Sequence, residues 1–370
     1  MSWFETARFG AFVCWGHCSQ RGIELSWPMV LSAPLASFCR PMDVDEYHQT
    51  AATFDPTQWD PQELAKRIKA AGAQYAVLTA KHHDGFALWR TALSEHSIAN
   101  TPYGCRGGDL VGEFVEALRS QGLKVGLYFS LADWHHPGYP AFREADKPYR
   151  FLTHYPTPES WPSYLEFMFG QVRELLTAYG RIDLLWFDGQ WEHTAEEWRA
   201  RELAAMCREL QPGILINDRL PGEGEYATFE NLVPAQPPEG PWEVCMTMNE
   251  SWGYNAADPH YKSALELVHT LCEVAGRGGN LLLDVSPRGD GTLPPEQEVR
   301  LDAIEGWMAQ QGAAIVGTRA ALEPWQFYGP ATRREYDAGT TLYLHLILRP
   351  YASVVVRGVP VRRVKAARLL

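Results

Sequence analysis

The sequence predicts an α/β fold: a (β/α)8 TIM-like barrel followed by a small antiparallel β domain. Three observations carry this. Short apolar strands alternate with amphipathic helices between residues 10 and 290, the pattern of a parallel sheet. Strand after strand ends in a polar or aromatic cluster, which places the chemistry on one rim. After residue 312 the helices stop and β-branched runs take over. The plainest strand, 182–187, is almost wholly apolar and ends in Asp188-Gly189. Such a run suits a strand buried on both faces. A lone Asp in that position is more often a turn cap than a functional group; the repetition of the pattern on other strands singles Asp188 out.

In chain order, residues 10–15 read as the first strand and 19–60 as a long loop region with short helical pieces. Pro61 opens a helix with Leu64, Ile68 and Ala71 at helical spacing, and Gly72 closes it. Strand 75–80 runs into Lys81-His82-His83-Asp84-Gly85. Helix 109–121 precedes strand 124–130, which leads to Asp133-Trp134-His135-His136. Helix 163–179 precedes the Asp188 strand. Helix 196–210 precedes strand 214–216 and Asn217-Asp218-Arg219. Strand 242–248 ends in Asn249-Glu250-Ser251-Trp252; helix 263–275, strand 280–285 and helix 294–311 complete the series. That makes about seven strand units, close to the eight of a barrel. A doubly wound open sheet is the alternative, but no glycine-rich phosphate loop follows an early strand. Residues 1–311 are therefore the expected catalytic barrel. Residues 312–370 are the expected short β-sandwich-like domain, with strands at 314–316, 341–348 and 354–356; it is thin enough to be truncated.

Of the 370 residues 46% are hydrophobic and 12% aromatic, with 14 Trp and 16 Tyr, enough for a large core with flat rings left for stacking on sugars. The net charge of −12 argues against nucleic acid or an anionic membrane as partner. No run of about 18 apolar residues predicts a membrane span. Seven scattered cysteines without a CxxC, and no signal-peptide pattern, lead to the expectation of reduced thiols in a cytoplasmic protein. No metal or cofactor is expected. A homo-oligomer is compatible with the sequence.

Paired carboxylates on a barrel rim among Trp and His suggest glycoside hydrolysis, one carboxylate attacking and the other protonating the leaving oxygen. Asp188 is the expected nucleophile, and Glu230, Glu243, Glu250 and Glu24 are candidate partners. His82 and His83 are consecutive at a strand end and so point to opposite sides. They make a poor metal pair; one is expected to bond a sugar hydroxyl and the other to support the rim. Arg219 is suited to orienting a carboxylate or a hydroxyl. Trp134, Trp186, Trp191 and Trp252 are candidates for an apolar wall, against the ordinary role of Trp as core filler.

At these residues the sequence resembles the retaining α-L-fucosidases of glycoside hydrolase family 29. The matching segments include Phe9-Gly10-Ala11-Phe12-Val13-Cys14-Trp15-Gly16, Lys81-His82-His83-Asp84-Gly85-Phe86, Leu185-Trp186-Phe187-Asp188-Gly189 and Asn280-Leu281-Leu282-Leu283-Asp284-Val285. They run in the expected order over nearly the whole chain. The resemblance implies a barrel followed by a β-sandwich, hydrolysis of terminal α-L-fucosides with retention, Asp188 as nucleophile, and His82 and His83 in the fucose subsite. It ranks Glu230 first as acid/base, Glu243 second and Glu24 third. The remaining expected substrate contacts are His17, Trp27, Tyr128, Trp134, Trp186, Arg219 and Trp252, with Glu24 and Glu243 counted among them. Two departures stand out. Cys14 occupies the place of the family's usual His, a weak hydrogen-bonding substitute whose sugar contact is expected either to be lost or to pass to His17, and the C-terminal domain is short. These leave two other readings: a related glycosidase with another sugar preference, and a catalytically impaired carbohydrate-binding homologue.

Overall fold

The computed structural model describes residues 3–30, 39, 41–140, 156–350 and 352–369. Eight parallel strands form a curled sheet: β1 (Phe9–Val13), β2 (Tyr75–Lys81), β3 (Lys124–Ser130), β4 (Leu184–Asp188), β5 (Leu215–Ile216), β6 (Ala227–Glu230), β7 (Trp242–Met246) and β8 (Asn280–Val285). Their spatial order is β5-β4-β3-β2-β1-β8-β7-β6. One parallel bridge, Asn217 to Tyr226, joins the two ends of that order. It is flanked by the bonds Glu225 N to Ile216 O (2.8 Å) and Asp218 N to Tyr226 O (3.0 Å).

The helices are α1 (Val44–Gln49), α2 (Pro61–Ala70), α3 (Pro102–Cys105), α4 (Leu110–Ser120), α5 (Trp161–Ala178), α6 (Ala200–Leu210), α7 (Ala264–Gly276) and α8 (Pro295–Gln311). Local chemistry sets several starts. Asp60, Asp109 and Ser263 accept N–H bonds from Glu63, Gly112 and Glu266, which satisfies donors that a helix leaves open at its N-terminus. Part of the expected 19–60 loop lies outside the described residues; its described part contains α1 and three-residue to five-residue 3-10 turns.

The structure adds a strand where seven were expected. β6 is half-buried along its whole length and reads Ala-Thr-Phe-Glu, so it lacks the apolar run that marks its neighbours. No helix lies between β5 and β6 or between β6 and β7. The ring is therefore not a complete alternation of eight strands with eight helices.

The C-terminal expectations also need correction. A three-stranded antiparallel sheet is present, but its strands are β9 (Arg319–Ala320), β10 (Ala331–Tyr336) and β11 (Gly339–Leu344). Residue 314 ends a 3-10 turn, 315 and 316 continue in a turn, and 354–356 form no strand. β10 reads Ala-Thr-Arg-Arg-Glu-Tyr, with both arginines half-buried and Glu335 exposed, and that charge hides a strand from an apolar reading. It packs on α7, and Thr332 Oγ1 donates to Ala314 O. All seven cysteines are free. Among the described residues no helix is long and apolar enough to cross a membrane.

Candidate active site

Side chains alternate along a strand, so residues two apart share a face. That period sends Phe12 and Cys14 of the first strand and its extension, Tyr128 of β3, Trp186 and Asp188 of β4, Thr228 and Glu230 of β6 and Cys245 of β7 into one cavity of about 420 Å³. Its volume lies within the range of ordinary small-ligand sites. Asp188 is 8% exposed at the carboxyl end of β4. Gly189 follows at φ +75°, and a Cβ there would lie 2.9 Å from the Ala132 nitrogen. Only glycine lets the chain turn that closely under the carboxylate.

Arg219 joins the two acids. Its Nη1 donates to Asp188 Oδ1 at 2.7 Å and its Nη2 to Glu230 Oε2 at 3.0 Å. The guanidinium lies over the Trp186 ring, 4.8 Å from the centroid, and Nε reaches Thr228 Oγ1 at 3.3 Å. Burial opposes the charge on Arg219, and the acids Asp188 and Glu230 more than restore it. Tyr128 Oη donates to Asp188 Oδ2 at 2.9 Å. Trp252 Nε1 donates to Glu230 Oε1 at 3.2 Å. Both carboxylates are thus held from two directions, and each oxygen retains a second lone pair.

Both imidazoles of His82 and His83 line the cavity, with ring centroids 4.1 Å apart. The expectation that they face opposite sides is overturned because β2 ends at Lys81 and the chain turns: Gly85 N bonds His82 O at 3.1 Å. Gly85 sits at φ +74°, where a Cβ would strike the Asp133 carboxylate at 2.2 Å. Asp133 in turn pairs with buried Lys81 at 2.9 Å and fixes the turn from β3's side. Burial pushes both histidines down to about 3, helped at His82 by its neighbour His83, so both are neutral at pH 7. The hydrogen bonds assign their tautomers. Ser130 Oγ donates to Ala132 O (2.7 Å) and so accepts from His83 Nδ1 (2.7 Å). His83 Nε2 is left bare, 3.8 Å from Asp188 Oδ2. Ser26 Oγ accepts from Asp84 N (3.0 Å) and turns its hydrogen to His82 Nδ1 (2.6 Å), leaving the His82 proton on Nε2. The adjacent rings offer one donor and one acceptor, a fit to neighbouring hydroxyls of a sugar.

The alpha-L-fucosidase family profile matches residues 1–313. The tissue alpha-L-fucosidase of Rattus norvegicus is 32% identical over 345 residues, covering 88% of this chain and 70% of its own length. The alpha-L-fucosidase of Dictyostelium discoideum is 30% identical, covering 85% and 68%. Among solved structures, alpha-L-fucosidase isoenzyme 1 from Paenibacillus thiaminolyticus superposes with a TM-score of 0.78 at 37% identity, covering 89% of this chain and 80% of that one. A Bacteroides thetaiotaomicron alpha-L-fucosidase, solved as a trapped covalent intermediate, gives 0.75 at 28%, covering 90% and 79%.

The chain belongs to the alpha-L-fucosidase family, glycoside hydrolase family 29.

Within this fucosidase fold, four residues expected to touch substrate do not line the cavity. His17 is fully buried, its Nδ1 on Thr50 Oγ1 and its Nε2 3.5 Å from Asp84; it turns away from the place it was expected to take over from Cys14. Trp134 stands behind Trp27 and His83 and donates to buried Glu192 at 3.0 Å. Glu243 is fully buried in register with Thr228, two residues short of Glu230's level. It accepts from Tyr75 Oη and from Trp186 Nε1 (2.9 Å), and burial pushes it up to about 7. Glu24 accepts three backbone N–H bonds, from Leu25 (2.7 Å), Trp252 (2.7 Å) and Gly253 (2.6 Å); burial nonetheless raises it to about 7. These two acids support Trp186 and Trp252 from behind. Glu250 and Lys262 belong to a smaller neighbouring cavity of about 230 Å³ that shares Trp27 and Trp252 with the main one.

Trp27, Trp191 and Cys14 do line the cavity. Burial, with Asp284 beside it, pushes the Cys14 thiol well up, so it is a neutral wall group. Sequence reasoning passed over Phe12, Thr79, Gln190, Thr228 and Cys245 as lining residues. For Thr228 and Phe12 the signal existed: each lies two residues before a site residue on the same strand.

Proposed function

We propose that this chain hydrolyses terminal α-L-fucosides with retention, Asp188 acting as nucleophile and Glu230 as acid/base. One observation carries the reading: Arg219 ties Asp188 and Glu230 together across a sugar-sized cavity. In the first step an Asp188 oxygen attacks the anomeric carbon while Glu230 gives its proton to the leaving oxygen. The product is a glycosyl ester of Asp188 and a free alcohol. Asp188 then carries no charge, and Arg219 faces Glu230 alone. Glu230 next takes a proton from water, which attacks the same carbon and releases Asp188. The covalent intermediate trapped in the Bacteroides relative with 2-fluoro-fucosyl fluoride and a Glu-to-Gln variant supports the double displacement. Neutral His82 and His83 hold the sugar hydroxyls, and Trp27, Trp186 and Trp252 supply flat apolar contact.

The test is trapping with a 2-fluoro-fucosyl fluoride followed by peptide mapping. Label on Asp188, with Asp188→Ala folded and inactive on an aryl α-L-fucoside, is the expected result. Label elsewhere, or normal rates in the variant, overturns it. Cys14 in the cavity wall favours a second reading, a shifted sugar preference. A panel of aryl glycosides separates the two: the first reading requires α-L-fucoside to lead. Sugar binding without turnover of any panel member would mark a catalytically impaired homologue.

A further inference from the structure

Three histidines converge outside the catalytic cavity. His48 lies on α1, after β1; His96 lies in the segment after β2; His135 lies in the segment after β3. Each offers a ring nitrogen, and the three nitrogens lie within 4.8 Å of one another. The rings are mutually close: His96 and His135 stack at 3.9 Å and 17°, while His48 stands edge-on to both at 5.1 and 4.8 Å. None of the three lines the catalytic cavity.

Their hydrogen bonding is incomplete. Both ring nitrogens of His48 and the Nε2 of His96 are out of contact with solvent and have no hydrogen-bond partner. Buried polar atoms are ordinarily paired, and an exception asks for a partner such as water or an ion. His135 is exposed, which opens the cluster to solvent, and its backbone N is held by Asp133 Oδ1 at 3.1 Å.

We propose that His48, His96 and His135 form a binding site for a divalent transition metal of the zinc type, a clip between the loops after the first three strands. Three imidazoles with a fourth position open to water make a recognised zinc ligand set. Imidazole nitrogen selects zinc, copper or nickel over magnesium or calcium, which prefer oxygen. In a tetrahedral site with Zn–N of 2.0–2.1 Å the nitrogens stand about 3.3 Å apart. An imidazole lone pair lies in the ring plane, so the stacked His96 and His135 rings turn relative to each other to converge on one ion. The site would tie together loops that pack around Phe86 and His17, since His96 contacts both rings. No motif announces it, because the ligands come from three separate loops with no fixed spacing.

The test uses the intact chain after dialysis against a chelator. Zinc chloride is titrated by calorimetry, and cobalt(II) is added in parallel to look for the visible absorption of a four-coordinate site. One zinc per chain is expected, with a Tm rise of about 2–8 °C at saturating metal. His135→Gln, which changes an exposed side chain, is expected to lower zinc affinity at least about 10-fold without lowering the Tm of the metal-free protein. His96→Gln is expected to do the same to affinity. Absence of saturable binding, binding unchanged in His135→Gln, or equal binding of calcium overturns the proposal.

Discussion

Arg219 Nη1 meets Asp188 Oδ1 at 2.7 Å, and the other end of the same guanidinium meets Glu230 at 3.0 Å. A planar fork holds two carboxylates in fixed directions; a lysine ammonium is a compact point charge whose rotatable donors fix no such geometry. Arg219→Lys is therefore expected to lower kcat about 100-fold or more with a smaller change in KM, read from steady-state kinetics on an aryl fucoside. A kcat within twofold of the parent would sink the bridging role.

Glu230 and Glu243 separate by their dependence on the leaving group. Glu230→Gln should cost about 10²–10⁴ in kcat/KM for a substrate with a poor leaving group and much less for an activated aryl fucoside. Glu243 bonds only Tyr75 and Trp186 among described partners. Glu243→Gln should cost stability, about 1–3 kcal/mol, with a loss of rate that does not vary with the leaving group. The reverse pattern would transfer the acid/base role to Glu243.

Glu24 acts at a distance. Its carboxylate fixes the backbone N–H groups of Trp252 and Gly253, and the Trp252 indole bonds Glu230. Glu24→Gln replaces one accepting oxygen with a donor and leaves an N–H facing it. The expected outcome is a loss of about 1–3 kcal/mol in denaturant unfolding together with a fall in kcat greater than any rise in KM. Unchanged stability would contradict the contact's importance.

Stability should fall with rising pH between about 6.5 and 8. Burial raises Glu24 and Glu243 to about 7 and Glu192 to about 8. Acids raised in the folded state bind protons that the unfolded chain has lost, so they stabilise at low pH and cease to as pH climbs through the folded values. The buried histidines act in the other direction. His82 and His83, lowered to about 3, and His48, lowered to about 4, make stability rise from about pH 3 to 6.5. Only the acid slope is left above that. Tm scans from pH 6.5 to 8 should decline, and Glu192→Gln should flatten part of the decline. A rising Tm over that window would contradict the assignment.

The sequence by itself determined the alternation of strands and helices, the strand end at Asp188, the paired histidines and the candidate acids. These are local signals: apolar runs mark buried strands, capping residues mark helix starts, and a two-residue period marks a face. It missed β6 and β10, whose half-buried or charged compositions do not stand out locally. Only the tertiary structure decided which acid faces Asp188. Glu230, Glu243 and Glu24 are equivalent as isolated residues. Strand register sets Glu243 behind Trp186, three backbone N–H groups capture Glu24, and Arg219 draws Glu230 to Asp188. The convergence of His48, His96 and His135 has the same origin. The curl of a parallel sheet gathers loops far apart in sequence onto one rim, and no period along the chain encodes which of their side chains will meet.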